Sequence, residues 1–277
     1  MTIQAPEALA EDAAGILAME TGSIAQIIED GQSAVAVWIK EKDFKPGGQF
    51  ALAEALRATF PGAVFGEPTI ETEESRDWLA KWKESFTPLP VGEKLAVIPS
   101  WWTGETPSGR LKIILDPGMA FGTGHHATTA GCMAMLEKHA KGRVLDVGCG
   151  SGILSIAAAL LGADSVVGID KDPEVIHIAI ENVQINGAAD KVFIAEGIMD
   201  SVEGSFDVIV ANLFLDPIIK LAPDFPSRLI PGGVLIISGL KTEQKTAALK
   251  ALLGAGFALI NETENDGWVA LALTLRG

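Results

Sequence analysis

Three glycines and two acids carry the clearest chemical signal in the chain. Asp146-Val147-Gly148-Cys149-Gly150-Ser151-Gly152 ends an apolar run in an acid and a glycine-rich turn, and Asp170 ends the next apolar run, Ser165-Val166-Val167-Gly168-Ile169. Glycine has no Cβ, so backbone N–H groups there can approach a ligand closely, and a helix N-terminus just beyond adds the positive end of its dipole. The spacing is Gly-x-Gly-x-Gly. The third glycine of the dinucleotide fingerprint would fall on Ile153, where none stands. A carboxylate at Asp170 has two oxygens for the two hydroxyls of a ribose. A second polar stretch, Asp116-Pro117-Gly118-Met119-Ala120-Phe121-Gly122-Thr123-Gly124-His125-His126-Ala127-Thr128-Thr129, is too glycine-rich for a helix and too polar for a core strand. Its glycine N–H groups and threonine hydroxyls suit a loop that folds over a ligand; Thr128 or Thr129 suits equally a helix cap. Asn212 ends a further apolar run, where its amide either faces a reacting group or satisfies strand-end backbone. Two other readings of the glycine turn stay open: an NAD enzyme, and a sheet with ordinary turn glycines.

The elements that must hold these residues read as an α/β alternation. A strand over Arg143–Val147, the glycine turn and a helix over 153–161 form the first unit of a parallel sheet. A helix over 128–138 precedes it. Strands follow over Ser165–Asp170, 191–195, 206–211 and 234–238, the last entered through a turn at Pro231-Gly232-Gly233. Helices are expected over 172–186, opened by Asp172-Pro173 and closed by Gly187, over 217–228 and over 242–253. Residues 256–262 and Trp268–Leu275 read as a closing antiparallel pair, and 95–99 and 111–115 as short strands.

Composition sets limits. The chain has 277 residues and 48% hydrophobic content, enough for two domains with a substantial core. The formal charge of −15 argues against a duplex nucleic-acid binder and suits a basic partner. The two cysteines, Cys132 and Cys149, form neither zinc spacing nor a disulfide framework, as in a reducing compartment. No basic-then-apolar leader opens the chain, and its most apolar stretch is too short to span a bilayer. The expectation is a soluble, cytoplasmic monomer with no membrane partner and no direct nucleic-acid partner.

Residues 1–70 read as a small α+β unit. Helices are expected over 8–19 and 48–60, strands over 24–28 and 34–40 joined through Asp30-Gly31, and a last strand over 63–70. That order approximates a ferredoxin-like split βαβ, for which only Thr2–Gln4 can supply the first strand. Residues 71–100 read as a linker helix and connector, with Trp78, Trp82 and Phe86 on one helical face. Residues 101–277 form the third segment, the domain that carries the glycine turn.

The Asp146–Gly152 stretch resembles motif I of the class I S-adenosylmethionine-dependent methyltransferases, and the strand order fits their Rossmann-like, doubly wound sheet with a C-terminal antiparallel hairpin. The match sharpens over residues 115–129 and Ala211-Asn212-Leu213, which resemble the PrmA family, methyltransferases of ribosomal large-subunit protein eleven. The family pattern is close to Leu-Asp-Pro-Gly-x-Ala-Phe-Gly-Thr-Gly-Thr-His-Pro-Thr-Thr; here His125 replaces its Thr and Ala127 its Pro, while His126 matches its His. The linker agrees at Trp82, Phe86, Pro88, Val91-Gly92 and Pro99-Ser100-Trp101. The resemblance implies S-adenosylmethionine as cofactor, contacted by Thr129, Gly148, Asp170 and Asn212, with Asp146, Gly150 and Gly152 in the same turn and Phe121, Gly122 and Thr123 closing over the sulfonium. It implies trimethylation of lysine ε-amines and the N-terminal α-amine of a basic ribosomal protein, which the small N-terminal domain holds. Asn212 would face the reacting methyl. His126 is the best-placed base, or a loop histidine that only bonds backbone. Asn212-Leu213-Phe214-Leu215 lacks the Pro-Pro-aromatic clamp of enzymes acting on amides or nucleobases, which disfavours those acceptors.

Overall fold

The computed structural model describes residues 1–6, 9–21, 25–29, 33–37, 39, 44, 47–70, 86–116 and 126–276. It divides into two compact units, Met1–Glu84 and Ser85–Gly277.

In the first unit, strands β1 (Thr2–Gln4), β2 (Ala25–Glu29) and β3 (Ser33–Val37) form an antiparallel sheet in the order β1-β3-β2. Helices α1 (Ala10–Thr21) and α2 (Gly48–Thr59) supply Leu17, Ala53 and Leu56 to a core with Ile3, Val35, Val37 and Phe65. The strand expected over 63–70 is reduced to one antiparallel bridge, Thr2 to Thr69. Pro61-Gly62 and Pro68 explain that: proline cannot donate to a ladder, and Gly66 packs against the Gln4 side chain. The 30–31 turn and the helix expected over 71–85 lie outside the described residues.

The second unit is built on a seven-stranded sheet in the order β12-β13-β11-β10-β7-β8-β9. Strands β7 (Arg143–Val147), β8 (Ser165–Asp170), β9 (Val192–Glu196), β10 (Phe206–Asn212) and β11 (Leu229–Lys241) run parallel. Strands β12 (Phe257–Asn265) and β13 (Trp268–Leu275) close the far edge antiparallel, joined by Asp266-Gly267, both at positive φ. The central strands read as continuous apolar runs because both faces are covered. Along β10, Val208 and Val210 face one layer and Ile209 and Ala211 the other. Helices α3 (Ala127–His139), α4 (Ile153–Leu160) and α5 (Pro173–Ile185) bury Met133, Ile156 and Val183 in the first layer. Helices α6 (Leu215–Leu221), α7 (Phe225–Arg228) and α8 (Lys245–Gly254) bury Ile218, Phe225 and Leu252 in the second.

Three details differ from the sequence expectation. Residues 86–100, expected in a connector, fold with the second unit: β4 (Leu89–Val91), β5 (Leu95–Ile98) and β6 (Leu111–Ile114) make a small sheet. The Glu137 carboxylate on α3 anchors it by accepting the N–H groups of Glu93 and Lys94, at 2.9 and 2.7 Å. Pro231-Gly232-Gly233 does not precede β11 but lies within it, at a register shift where β10 residues Phe206 and Val208 pair with Leu229 and Val234. The 217–228 helix is two short helices, α6 and α7.

Candidate active site

The order of the parallel strands reverses at β7: β8 and β9 extend the sheet on one side, β10 and β11 on the other. Ligands of open α/β sheets bind outside the carboxyl ends of the strands at such a switch point. The register brings the named residues to that one edge. Val147, just before the glycine turn, pairs with Ile169 beside Asp170 and with Ala211 beside Asn212.

The glycine turn is held in a conformation that L side chains rarely adopt. Gly148, Gly150 and Gly152 all have positive φ, at 74, 51 and 79°. A Cβ at Gly148 would lie 2.6 Å from Leu213 Cδ2, and one at Gly152 would press on Ala179 at 3.3 Å. Gly148 N–H and Cys149 N–H donate to Ile169 O, which ties the turn to the end of β8. Helix α4 then starts at Ile153 with Gly152 at its N-cap and no side-chain cap, and its first turn reaches back to the Asp146 carboxylate through Ser155.

Asp170 is half-buried at the tip of β8. One oxygen accepts Gly150 N–H at 3.0 Å and the other Asp172 N–H at 3.1 Å. The carboxylate thus fixes the glycine turn and keeps further lone pairs for a diol. Asp146 behaves differently. It is fully buried, its Oδ2 accepts the Ser155 hydroxyl at 2.7 Å and its Oδ1 has no hydrogen-bond partner. Burial, with a smaller contribution from Asp170, pushes its carboxyl up to about 7, against the pull of the Ser155 hydrogen bonds. Asp146 underpins the turn from inside.

Across the site, the amide of Asn212 donates to Thr129 Oγ1 at 3.3 Å, and among the described residues the buried Asn212 Oδ1 has no partner. Thr129 is itself fully buried on α3. His126, not a threonine, caps that helix, which begins one residue earlier than expected: its Nδ1 accepts Thr128 N–H at 3.3 Å and lies 2.7 Å from Thr128 Oγ1. The ring stands edge-on to Trp268, centroids 4.7 Å apart. The cap contact is of the backbone-bonding kind expected for a loop histidine at this position. Phe121, Gly122 and Thr123 lie outside the described residues.

Several supporting residues escape a sequence reading. Gly239 (φ 86°) follows Ser238, the β11 partner of Asn212, and admits the Leu213 backbone; a Cβ there would meet Leu213 N at 2.9 Å and overlap Leu213 O. Leu213 N–H donates to Ser238 O at 3.1 Å. Gly168 inside β8 leaves room for Ile194, Ser155 and Cys149. An isolated glycine in a strand is the signal that finds such a site.

The donor set fits S-adenosylmethionine. Among the described residues Asn212 Oδ1 is a buried acceptor without a partner, α4 has no side-chain cap, and Gly148, Gly150 and Gly152 present no Cβ to a ligand. Among the described residues no group of His, Cys, Asp or Glu is arranged to hold a metal, and no helix is long and apolar enough to cross a membrane.

A family model described as ribosomal protein L11 methyltransferase (PrmA) matches residues 1–276. The chain is 43% identical over 228 residues to the ribosomal protein L11 methyltransferase of Pelotomaculum thermopropionicum, covering 81% of this chain and 74% of the relative. It is 35% identical over 277 residues to the one from Geotalea uraniireducens, covering 94% and 88%. The crystal structure of ribosomal protein L11 methylase from Lactobacillus delbrueckii subsp. bulgaricus superposes with a TM-score of 0.64 at 34% identity, over 69% of this chain and all of that one.

Proposed function

This chain belongs to the ribosomal protein L11 methyltransferase family, and we propose that it methylates lysine ε-amines and the N-terminal α-amine of that ribosomal protein with S-adenosylmethionine as donor. The observation that carries the reading at the site is the unsatisfied Asn212 Oδ1, buried beside Thr129 at the same sheet edge as the glycine turn and Asp170.

S-adenosylmethionine supplies a methyl group already activated on a sulfonium. The residues therefore position and desolvate more than they react. Asp170 would accept the ribose hydroxyls, the positive end of α4 would face the methionine end, and Gly148, with no side chain, would keep that approach open. Asn212 Oδ1 accepts an N–H of the incoming amine and so aims its lone pair at the methyl carbon. That amine must be neutral, whereas a free lysine titrates near 10.4. Desolvation at the buried strand tips lowers it, and the proton leaves to solvent without a dedicated base. Thr129 engages the Asn212 amide nitrogen and so leaves the buried Oδ1 as the acceptor for the incoming amine.

The acceptor is a basic protein, suited to a chain of formal charge −15. In this reading the first unit, a ferredoxin-like fold whose fourth strand has shrunk to the Thr2–Thr69 bridge, holds the acceptor. The enzyme acts in the cytoplasm as a monomer, with neither membrane nor nucleic acid as partner. The test is incubation of the purified chain with ribosomal protein L11 and methyl-labelled S-adenosylmethionine, read by intact-protein and peptide mass spectrometry. Methylated lysines and a methylated N-terminus are expected; an unlabelled L11 beside a labelled RNA or small molecule would overturn the acceptor.

A further inference from the structure

Phe214 breaks two local rules at once. It is 73% exposed, the most exposed large apolar side chain among the described residues of the second unit. It also occupies the N-cap position of α6, where it makes no side-chain cap. Ser, Thr, Asp or Asn would cap that helix and be at home in water. Nothing in the packing compensates. Its neighbours do pack: Leu213 lies against the glycine turn at Gly148, and Leu215 joins the second core layer. The chain thus turns inward at 213, outward at 214 and inward again at 215. The outward direction is fixed, because Leu213 N–H is bonded to Ser238 O and Gly239 admits the Leu213 backbone. Residues that violate local preference without structural gain cluster at functional sites. Phe214 stands two positions beyond Asn212, on the rim of the strand edge where the amine must arrive.

We propose that Phe214 is a specificity-determining residue for the acceptor, the aromatic surface against which the alkyl stem and the methylated ammonium of the acceptor side chain rest while Asn212 Oδ1 holds the N–H. An aromatic face attracts ammonium and, more so when water is excluded, its methylated forms. Asp216, exposed in the first turn of α6, adds a negative charge nearby. Each methyl added to the amine removes an N–H for Asn212 and adds apolar surface for Phe214. Retention of the partly methylated amine therefore shifts from Asn212 to Phe214 as methylation proceeds, and the residue sets how far methylation runs before release.

The inference rests on the amine-methyltransferase reading, so its test has two arms. In the first, Phe214→Ala, Phe214→Leu and the control Phe193→Ala (a 65%-exposed phenylalanine on the edge strand β9) are compared with wild type on ribosomal protein L11. Phe214→Ala should raise the acceptor KM roughly tenfold, the scale of one cation–π contact plus lost apolar area. It should leave the S-adenosylmethionine Kd within twofold and shift products from trimethyl toward mono- and dimethyl amines. Phe214→Leu should recover most of the KM but not the trimethyl fraction; Phe193→Ala should match wild type. In the second arm, wild type and Phe214→Ala loaded with S-adenosylhomocysteine are titrated with free Nε-trimethyllysine and with the uncharged isostere lacking the ammonium. Wild type should prefer the ammonium and the variant should not. An L11 left unmethylated by wild type defeats the acceptor reading alone, and the second arm still decides on Phe214. Unchanged KM and product distribution, an S-adenosylmethionine Kd that rises with KM, or no ammonium preference in wild type overturns the proposal.

Discussion

Asp170 and Asp146 are both acids at the switch point, and their environments give them opposite tasks. Asp170 stays half-exposed and binds Gly150 and Asp172 with its two oxygens. Replacing it by Ala loosens the turn and, in the proposed reading, removes charged hydrogen-bond acceptors from the ribose. S-adenosylmethionine binding should weaken by about 1.5–3 kcal/mol, the scale of hydrogen bonds to a charged group. Calorimetric titration checks this, and an unchanged Kd would remove Asp170 from the site. Asp146 is sealed beneath the same turn, and its carboxyl rises from 3.8 to about 7. Below pH 3.8 it is protonated folded and unfolded, and the neutral form suits the buried site. As pH climbs toward 7 the unfolded chain ionises first, so this contribution to stability is lost. Asp146→Asn should therefore gain on wild type between pH 5 and pH 8 in urea denaturation; parallel pH profiles would show that Asp146 titrates normally. Sequence finds both acids because the strand-acid-glycine signal is local. It cannot separate their roles, because burial depends on α4 placing Ser155 over one and leaving the other at the rim.

At the scale of elements, the helix and strand order of the second unit is legible nearly throughout, since apolar runs, Asp172-Pro173 and Gly187 mark local boundaries. What sequence misses is set by distant pairing. The bulge inside β11 appears only against β10, and the lost strand near Thr69 only against β1. Gly239 belongs to the same class: its glycine is required by the Leu213 backbone, contributed by a different strand-to-helix turn. Gly239→Ala forces either a strained φ or a displaced Leu213. The expected loss is about 1–3 kcal/mol of stability, the cost of a non-glycine residue in such a conformation or of overpacking. Because Leu213 adjoins Asn212, kcat should fall further than the Tm shift alone explains. A variant with lowered Tm and unchanged kcat would show that Asn212 does not depend on this contact. Phe121-Gly122-Thr123-Gly124 carry the most family-specific signal in the sequence.

The whole molecule divides at Glu84/Ser85, and each unit carries its own apolar core. All the described residues assigned to the cofactor and to Asn212 chemistry lie in the second unit; no chemical constellation was legible in the first. If the first unit holds the acceptor, the two tasks are separable in the test tube. A chain of residues 85–277 has a sheet covered on both faces, the full glycine turn and both strand-tip residues. It should fold cooperatively and bind S-adenosylmethionine as the full chain does, within a few-fold. It should lose methylation of ribosomal protein L11 at low acceptor concentration, through a raised KM, and regain much of the rate when the acceptor is in large excess. Charge sharpens the test. With a formal charge of −15, attraction to a basic acceptor weakens as salt shortens the screening length from about 10 Å at 0.1 M toward 3 Å at 1 M. The acceptor KM of the full chain should rise with salt while its S-adenosylmethionine Kd changes little. A truncated chain that methylates L11 with the KM of the full chain would strip the first unit of acceptor recognition and leave the specificity to the rim of the second unit, where Phe214 stands.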